Sequence, residues 1–224
     1  MKIIRNSNLE QLPCVVTIGN FDGVHLGHQT LLAEVKKRAH VLKLESAVIT
    51  FEPNPKDYFS QNKPQTRISS LREKIELFNE IKIDRVHIIK FNQEFSKVTA
   101  NEFISILIKK LKVKEIVVGE DFCFGMGRKG SIKQLSESSM ELNIKNKILI
   151  DGKRISSTLI RNLLANDKLD EANKYIGRPY SISGKVVHGE KRGRKIGFPT
   201  ANIHMRHNRP ALKGVFAVKF QKHF

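Results

Sequence analysis

Two histidines, His25 and His28, lie in the segment whose residue types and spacing are best suited to chemistry. An apolar run over 15–18, rich in β-branched residues, comes first and is typical of a buried strand. The chain then turns through Gly19 and Gly23 and enters an amphipathic run that predicts a helix starting close to His28. A strand, a glycine turn and a helix start direct free backbone N–H groups and the helix dipole at one point in space. We therefore expect this point to bind phosphate.

A histidine near a helix N-terminus can donate hydrogen bonds to phosphate oxygens while charge develops between an attacking and a leaving group. The sequence places no nucleophile with a paired base beside His25 and His28. The pattern therefore favours a direct in-line transfer that depends on positioning and electrostatics. The alternative is a strand-to-helix turn with two solvated histidines, which is the commoner explanation of an isolated H-x-G-H. Glycines and histidines that fall together at one junction count against it.

A second segment, 155–161, has the composition of a phosphate-binding helix start. Ser156 or Ser157 can cap a helix here, and their hydroxyls and the first-turn N–H groups could hold phosphate. Arg161 would lie one turn further along the same face, where its guanidinium fork suits a polyphosphate. Taken alone, an ordinary capped helix with a surface arginine explains this segment equally well.

The elements that must position these residues alternate between apolar strands and amphipathic helices. Continuous apolar runs predict buried parallel strands at Cys14–Ile18, 47–51, 86–89, 116–118 and 148–150. The alternation predicts an α/β fold with a doubly wound, Rossmann-like parallel sheet. Ligands of such sheets bind beyond the carboxyl ends of the strands, which is where the histidine turn and the serine-rich segment fall.

Two further loops leave the predicted sheet at strand ends. Pro53 and Pro55 stiffen the first, which is either a rigid turn or part of a ligand site. The second, 119–130, contains several glycines, two phenylalanines that could contact a planar ring, and Asp121, which could accept hydrogen bonds from the polar edge of that ring. Core packing is the default expectation for those phenylalanines.

The run Gly19-Asn20-Phe21-Asp22-Gly23-Val24-His25-Leu26-Gly27-His28 resembles the signature of the bacterial FMN adenylyltransferase (FAD synthetase) module. That module belongs to the H-x-G-H nucleotidyltransferases and is usually fused to a C-terminal riboflavin kinase. The segment 155–161 is similar to the family's I-S-S-T-x-I-R motif, and the two loops are similar to its Pro-x-Pro and D-F-x-F-G segments. Asn54 and Cys123 depart from the histidine and arginine expected there.

The resemblance implies transfer of the adenylyl group of ATP to FMN, giving FAD and pyrophosphate. It implies catalytic roles for His25, His28 and Arg161. It implies ATP-binding roles for Gly19, Asn20, Phe21, Asp22, Gly23, Ser157, Thr158 and Arg161. It implies flavin-binding roles for Pro53, Pro55, Asp121, Phe124 and Arg128. Mg²⁺ is expected as a cofactor, although no acidic cluster in the sequence specifies its ligands.

A change of character after Gly177 predicts a domain boundary, with an adenylyltransferase domain over 1–177 and a second segment over 178–224. In the second segment, strands are predicted at 181–187 and 214–220. The intervening 189–203 resembles the opening of the riboflavin kinase β-barrel, and this implies nucleotide-binding roles for Lys195, Thr200 and Asn202. The family's acidic residue and its riboflavin-enclosing strands would lie beyond residue 224, so we expect no kinase activity unless another chain completes the barrel.

Composition narrows the function classes further. The 224 residues carry a formal net charge of +18, which suits polyanionic partners such as phosphorylated ligands or nucleic acid. A lysine-rich composition explains much of that charge, and zinc-finger and helix-turn-helix signals are not seen in the sequence, so nucleic acid is the weaker expectation. The lack of an 18-residue apolar run or a secretory signal favours a cytoplasmic protein.

Two alternatives to an FMN adenylyltransferase remain open from the residues. One is an H-x-G-H nucleotidyltransferase with another phosphorylated acceptor, and the other is a basic RNA-binding protein with a degenerate site. A P-loop NTPase and an NAD-binding fold are disfavoured, because neither G-x-x-x-x-G-K-[ST] nor G-x-G-x-x-G occurs.

Overall fold

The computed structural model describes residues 1–5, 11–60, 65–187, 189, 197, 200–205 and 209–221. Its strands are β1 (Lys2–Ile4), β2 (Cys14–Ile18), β3 (Glu45–Glu52), β4 (Arg85–Lys90), β5 (Val113–Gly119), β6 (Glu141–Lys145), β7 (Leu149–Ile150), β8 (Lys153–Arg154), β9 (Lys185–Val187) and β10 (Asn202–His204). Its α-helices are α1 (Leu26–Leu42), α2 (Pro55–Phe59), α3 (Leu71–Glu80), α4 (Gln93–Ser96), α5 (Ala100–Ser105), α6 (Ile132–Ser136), α7 (Ser157–Ala165) and α8 (Leu169–Ile176). Helix α5 continues into a π-helical turn at Ile106–Lys110, and a 3₁₀ turn covers Met126–Arg128.

Six parallel strands form the central sheet, in the order β1-β4-β3-β2-β5-β6. The chain runs outward from β2 to β3 and β4, then returns to the other side of β2 to form β5 and β6. The strand order therefore reverses between β2 and β5, which is the point where sheets of this kind bind ligands. The prediction of a doubly wound parallel sheet is confirmed.

The fifth predicted strand is wrong in its position. Residues Leu149–Ile150 pair antiparallel with Lys153–Arg154 in a two-stranded hairpin outside the main sheet. The edge strand beside β5 is instead Glu141–Lys145, whose mixed apolar and polar residues are partly exposed. An edge strand covered on one side lacks the continuous apolar run on which the prediction rested.

Both faces of the sheet are covered by apolar side chains from helices. On one face, Val16 and Ile18 pack with Phe103 and Leu107. On the other, Val48 and Val86 belong to a cluster with Leu32 of α1 and Phe78 of α3. A further cluster lies around α7 and α8, and its buried members are Ile68, Ile155, Ile160, Leu163, Leu164, Ala172, Tyr175, Ile176 and Ala211. This last cluster joins the serine-rich segment to the rest of the molecule.

The second segment contains two short strands among its described residues, β9 and β10, which pair antiparallel. The strand predicted over 214–220 does not form, and Val215 and Val218 are exposed there. A strand needs a neighbour to receive its backbone hydrogen bonds, and the described part of the chain supplies none for 214–220. In the same described part, no helix is both long and apolar enough to cross a membrane.

Candidate active site

The turn after β2 is held in an uncommon backbone conformation by burial. Phe21 (φ 49°) and Val24 (φ 39°) are non-glycine residues in the left-handed region, and Gly23 has φ 81°. Both non-glycine side chains are fully buried, and the Phe21 ring meets the Phe78 ring edge-on at 5.4 Å. Such backbone strain persists only where the surroundings over-determine it, and it is common at functional sites.

The two histidines stack at the start of α1. His25 is the N-cap residue, and its Nδ1 accepts a hydrogen bond from the backbone N–H of His28 at 3.3 Å. The two rings lie 3.6 Å apart at 17°. Gly27 allows this arrangement, because a Cβ there would lie only 3.3 Å from the His25 ring. The H-x-G-H spacing thus brings both imidazoles together at a helix N-terminus.

Both imidazoles are neutral at neutral pH. Burial, with the nearby charges of Arg161, Arg178 and Arg154, lowers the pKa of His25 from 6.5 to about 4. Burial and the neighbouring His25 hold the pKa of His28 well below its ordinary value. Because His25 Nδ1 accepts a hydrogen bond, its ring proton is on Nε2. Each ring can therefore offer one N–H to an anion without carrying a charge of its own.

Asp22 joins the histidine turn to α7 and to the chain near residue 68. One carboxylate oxygen accepts hydrogen bonds from the backbone N–H groups of Ile68 (3.0 Å) and Ser69 (3.1 Å). The other accepts from Arg161 Nη1 at 2.7 Å, and the backbone carbonyl of Asp22 accepts from Ser157 Oγ at 3.0 Å. Burial raises the pKa of Asp22 despite these donors. Both oxygens of the Asp22 carboxylate are thus occupied by hydrogen bonds from within the protein.

A cavity of about 370 Å³ opens at the carboxyl ends of β2 and β5. It brings together most of the sequence-predicted site residues, namely Gly19, Asn20, Phe21, Asp22, His25, His28, Asp121, Ser157, Thr158 and Arg161. Gly23 lies behind the turn, where its N–H donates to Ser69 Oγ at 2.8 Å. The two distant segments therefore meet around one space of a size that is typical of ligand sites.

Of the five residues expected to contact the flavin, only Asp121 lines the cavity. Asn54 and Lys56 line the cavity, while Pro53 and Pro55 do not. The Asn54 side chain caps α2 by accepting from the Lys56 N–H at 2.9 Å.

In the second loop, Phe122 lines the cavity, whereas Phe124 is buried in the core and Arg128 is exposed outside the cavity. Backbone hydrogen bonds between Phe124 and Gly130, at 3.2 and 2.9 Å, close this loop.

Apart from Arg161, sequence reasoning missed the cationic side chains that line the cavity, and three of these form ion pairs. Lys145 pairs with Glu34 at 3.0 Å, Lys147 pairs with Glu120 at 2.7 Å, and Arg154 pairs with Asp121. Arg154 directly precedes the 155–161 motif, and the lysines end or follow β6. Ligands of such sheets bind beyond the carboxyl ends of the strands. Lys145 and Lys147 could therefore have been predicted if β6 had been recognised as a strand.

The residues predicted to bind nucleotide in the second segment lie elsewhere. Thr200 and Asn202 are exposed, and neither lines the cavity. Lys195 lies outside the described residues. Across the described ranges, no group of three or more His, Cys, Asp or Glu side chains could hold a metal ion.

The parallel sheet reverses at a cavity, where stacked histidines lie at one helix start and a serine, a threonine and an arginine lie at another; this is the arrangement expected of a nucleotidyltransferase. The FAD synthetase family model matches residues 7–159, and the riboflavin kinase model matches residues 176–223. The chain belongs to the FAD synthetase family, so the resemblance seen in the sequence is confirmed. The FAD synthetase reaction transfers the adenylyl group of ATP to FMN and gives FAD and pyrophosphate.

The descriptions of curated relatives name both a riboflavin kinase and an FMN adenylyltransferase. The bifunctional riboflavin kinase/FMN adenylyltransferase of Buchnera aphidicola subsp. Schizaphis graminum is 44% identical over 233 aligned positions, which cover 100% of this chain and 75% of the relative. The enzyme of the same description from Escherichia coli K12 is 43% identical, over 98% of this chain and 73% of its own. A crystal structure described as a macrolide-efflux protein from Streptococcus pneumoniae is 31% identical with a TM-score of 0.76, over 93% of this chain and 70% of that one.

Proposed function

We propose that adenylyl transfer takes place in the cavity between the histidine turn and α7. The observation that carries this proposal is the direct connection of the two segments at Asp22, through Arg161 and Ser157. That connection leaves His25, His28 and Arg161 facing one space, together with the N-terminus of α7. A triphosphate needs donors from several directions, and here they come from both the histidine turn and α7.

In the proposed reaction, an FMN phosphate oxygen attacks the α-phosphorus of ATP while the bond to the bridging oxygen of pyrophosphate breaks. His25 and His28 donate their ring N–H groups to oxygens that gain negative charge, and Arg161, Ser157 and Thr158 hold the triphosphate. The histidines start neutral, and the arrival of polyphosphate favours their protonation, so their donor strength rises as substrate binds. The residues act through position and electrostatics and form no covalent intermediate.

We place the flavin beside Asn54, Asp121 and Phe122. Phe122 offers an aromatic face within the cavity, and Asp121 offers a carboxylate, now paired with Arg154. Pro53 and Pro55 act indirectly in this proposal by fixing the loop that carries Asn54. Phe124 supports Phe122 from the core, since their rings stack at 5.6 Å.

Magnesium enters this proposal as part of the substrate Mg-ATP. The lining acids Asp22 and Asp121 are both paired with arginines, so the triphosphate itself is the best source of oxygen ligands. The ion would neutralise charge on the phosphates. A cytoplasmic location suits substrates such as ATP and FMN and stays a prediction.

The test measures FAD formation from FMN and Mg-ATP by chromatography. It compares the His28→Asn variant with the unsubstituted chain. We expect the variant to lose about 100-fold or more in kcat, because one donor to the developing charge is removed. His40→Asn is the matched control, since His40 is exposed on the same helix. A His28→Asn variant that forms FAD at the rate of the control would contradict the proposed role.

We also propose that this 224-residue chain does not phosphorylate riboflavin on its own. The described part of the second segment forms two short strands, and Val186, Ile203 and Val215 are exposed rather than packed in a barrel. The measurement is conversion of riboflavin to FMN with Mg-ATP, using FAD formation by the same preparation as the positive control. Ordinary turnover of riboflavin would overturn this proposal.

A further inference from the structure

The start of the segment matched by the riboflavin kinase model reaches back to the histidine turn. Arg178 donates from Nη2 to the carbonyl oxygen of Gly23 at 2.9 Å, and from Nη1 to that of Val24 at 3.2 Å. Its side chain is partly buried and does not line the cavity. Arg178 therefore touches the turn from behind and would not touch a substrate in the cavity.

The end of α8 packs against the start of α1 at the same place. Gln29 Nε2 donates to the carbonyl oxygens of both Val24 and Ile176, each at 2.9 Å. Gly177 fits closely here, because a Cβ would lie 2.4 Å from Leu26 Cδ2. The peptide groups on either side of Val24 are therefore held by donors that belong to distant parts of the chain.

These bonds act on the part of the turn that sets the first histidine. Val24 has the unfavourable φ of 39°, and His25 follows it directly. A β-branched residue adopts such a φ only when outside contacts impose it. The two bonds from Arg178 are such contacts, so they help to orient His25 and, through its hydrogen bond to the His28 N–H, the stacked pair.

A second contact from the same family segment supports the turn through Asp22. The backbone of Arg67 donates to Arg209 at 3.0 Å and accepts from Ala211 at 3.2 Å. The next residue, Ile68, gives its N–H to the Asp22 carboxylate. Both contacts lead from residues matched by the kinase model to the adenylyl-transfer site.

We propose that Arg178, a residue of the riboflavin kinase match, is a positioning residue for adenylyl transfer that orients His25 and His28 through the carbonyl groups of Gly23 and Val24. The inference rests on the proposed function of the cavity. The second segment accordingly contributes to FAD formation even where it phosphorylates nothing.

The test compares Arg178→Gln and Arg178→Lys with Lys174→Gln, a matched control that removes an exposed cation from α8. For Arg178→Gln we expect kcat for FAD formation to fall about 10- to 100-fold, with KM for ATP and FMN changed less than threefold, because displaced catalytic groups slow the reaction more than they weaken binding. The ring signals of His25 and His28 in ¹H–¹³C spectra should shift. Arg178→Lys should recover part of kcat, since an ammonium can still donate to a carbonyl.

Unchanged kcat and unmoved histidine signals in Arg178→Gln would overturn the inference. A loss of kcat that Lys174→Gln shares, or that only follows a loss of folded protein, would overturn it as well. If Arg178→Gln does not fold, the comparison of Arg178→Lys with the unsubstituted chain decides by the same two readouts. If the unsubstituted chain forms no FAD, the proposed function fails, and the histidine signals alone then decide whether Arg178 orients the pair.

Discussion

At the scale of single residues, the site depends on small groups that let larger ones approach each other. Gly27 makes room for the stacked imidazoles, and Gly23 makes room for Ile68, whose backbone holds Asp22. Asp22 in turn holds Arg161. The polar groups that would touch a substrate are therefore positioned by contacts in which the substrate takes no part.

Gly23→Ala should destabilise the protein for two separate reasons. Its φ of 81° disfavours any Cβ, and the added atom would lie 2.7 Å from Ile68 Cγ2. Gly152→Ala is the matched control, because its φ of 71° imposes the same backbone cost while no atom of the described residues lies within 4 Å of the new Cβ. We expect a loss of about 1 kcal/mol in the free energy of unfolding for Gly152→Ala, and about 3 kcal/mol for Gly23→Ala, both measured by urea titration. Equal losses would show that Ile68 yields without cost.

The sequence was sufficient to predict that the histidine turn and the segment 155–161 meet at one cavity, and insufficient to predict which contacts hold them there. His25, His28 and Arg161 could be found because each lies in a short motif at a strand end. The bond from Arg161 to Asp22 could not, because it joins residues 139 positions apart and its existence depends on how α7 packs. Asp22 looked like one more ligand of the nucleotide, whereas burial and three donors make it a structural hub.

At the scale of elements, the loop after β5 shows why the flavin contacts were harder to predict. Phe122 and Phe124 are two residues apart, and an extended backbone sends such side chains to the same side only while the strand stays regular. Here the backbone of Phe124 bonds to Gly130 and its ring packs on Phe103 at 5.7 Å. One phenylalanine therefore belongs to the core, and its neighbour lines the cavity.

Phe122→Ala and Phe124→Leu should separate these two roles. We expect Phe122→Ala to raise KM for FMN by about tenfold, because stacking on a planar ring is lost. Phe124→Leu should leave that KM within twofold and lower the free energy of unfolding by about 1–2 kcal/mol, since a buried ring is replaced by a smaller side chain. Steady-state kinetics and urea titration give both values. If KM for FMN rises in Phe124→Leu and does not rise in Phe122→Ala, then Phe124 is the flavin contact, as the sequence predicts.

The edge strand of the sheet was also harder to predict than the central strands. The buried strands β2 to β5 were predicted from continuous apolar runs in the sequence, and the structure contains all four. Strand β6 alternates residue types and is partly exposed, while the more apolar 148–150 forms a separate hairpin. The run 148–150 is itself no more than partly buried, and Leu149 is exposed, so an apolar run alone shows neither burial nor membership of a sheet.

At the scale of the whole molecule, much of the positive charge that lines the cavity is paired with carboxylates. Lys145, Lys147, Arg154 and Arg161 each pair with a carboxylate. Anionic substrates are thus attracted by the net charge of +18, while these four cations are held by their carboxylate partners until phosphate competes for them.

Buried neutral histidines make the stability of the molecule depend on pH in a defined direction. The pKa of His25 and that of His87 fall from 6.5 to about 4, chiefly through burial, and burial also holds the pKa of His28 well below its ordinary value. Between pH 6.5 and 4 the unfolded chain binds these protons and the folded chain does not, so stability is full above pH 6.5 and is lost as the pH falls toward 4. His25 and His87 should each contribute a loss of about 3 kcal/mol over that range. The raised pKa of Asp22 acts in the opposite direction, and it offsets part of the loss toward the acid end.

Urea titrations at pH 7.5, 6, 5 and 4.5 measure this slope, and His87→Leu isolates one proton of it. His87 lies in β4 away from the cavity, and its buried Nε2 has no hydrogen-bond partner among the residues that the structure describes. The substitution should therefore reduce the slope between pH 6 and 4.5 by up to about 1.4 kcal/mol per pH unit. FAD formation at pH 7.5 should remain unchanged. An identical slope in the variant would mean that His87 takes up its proton in the folded state at an ordinary pKa, which its enclosure in the sheet makes unfavourable.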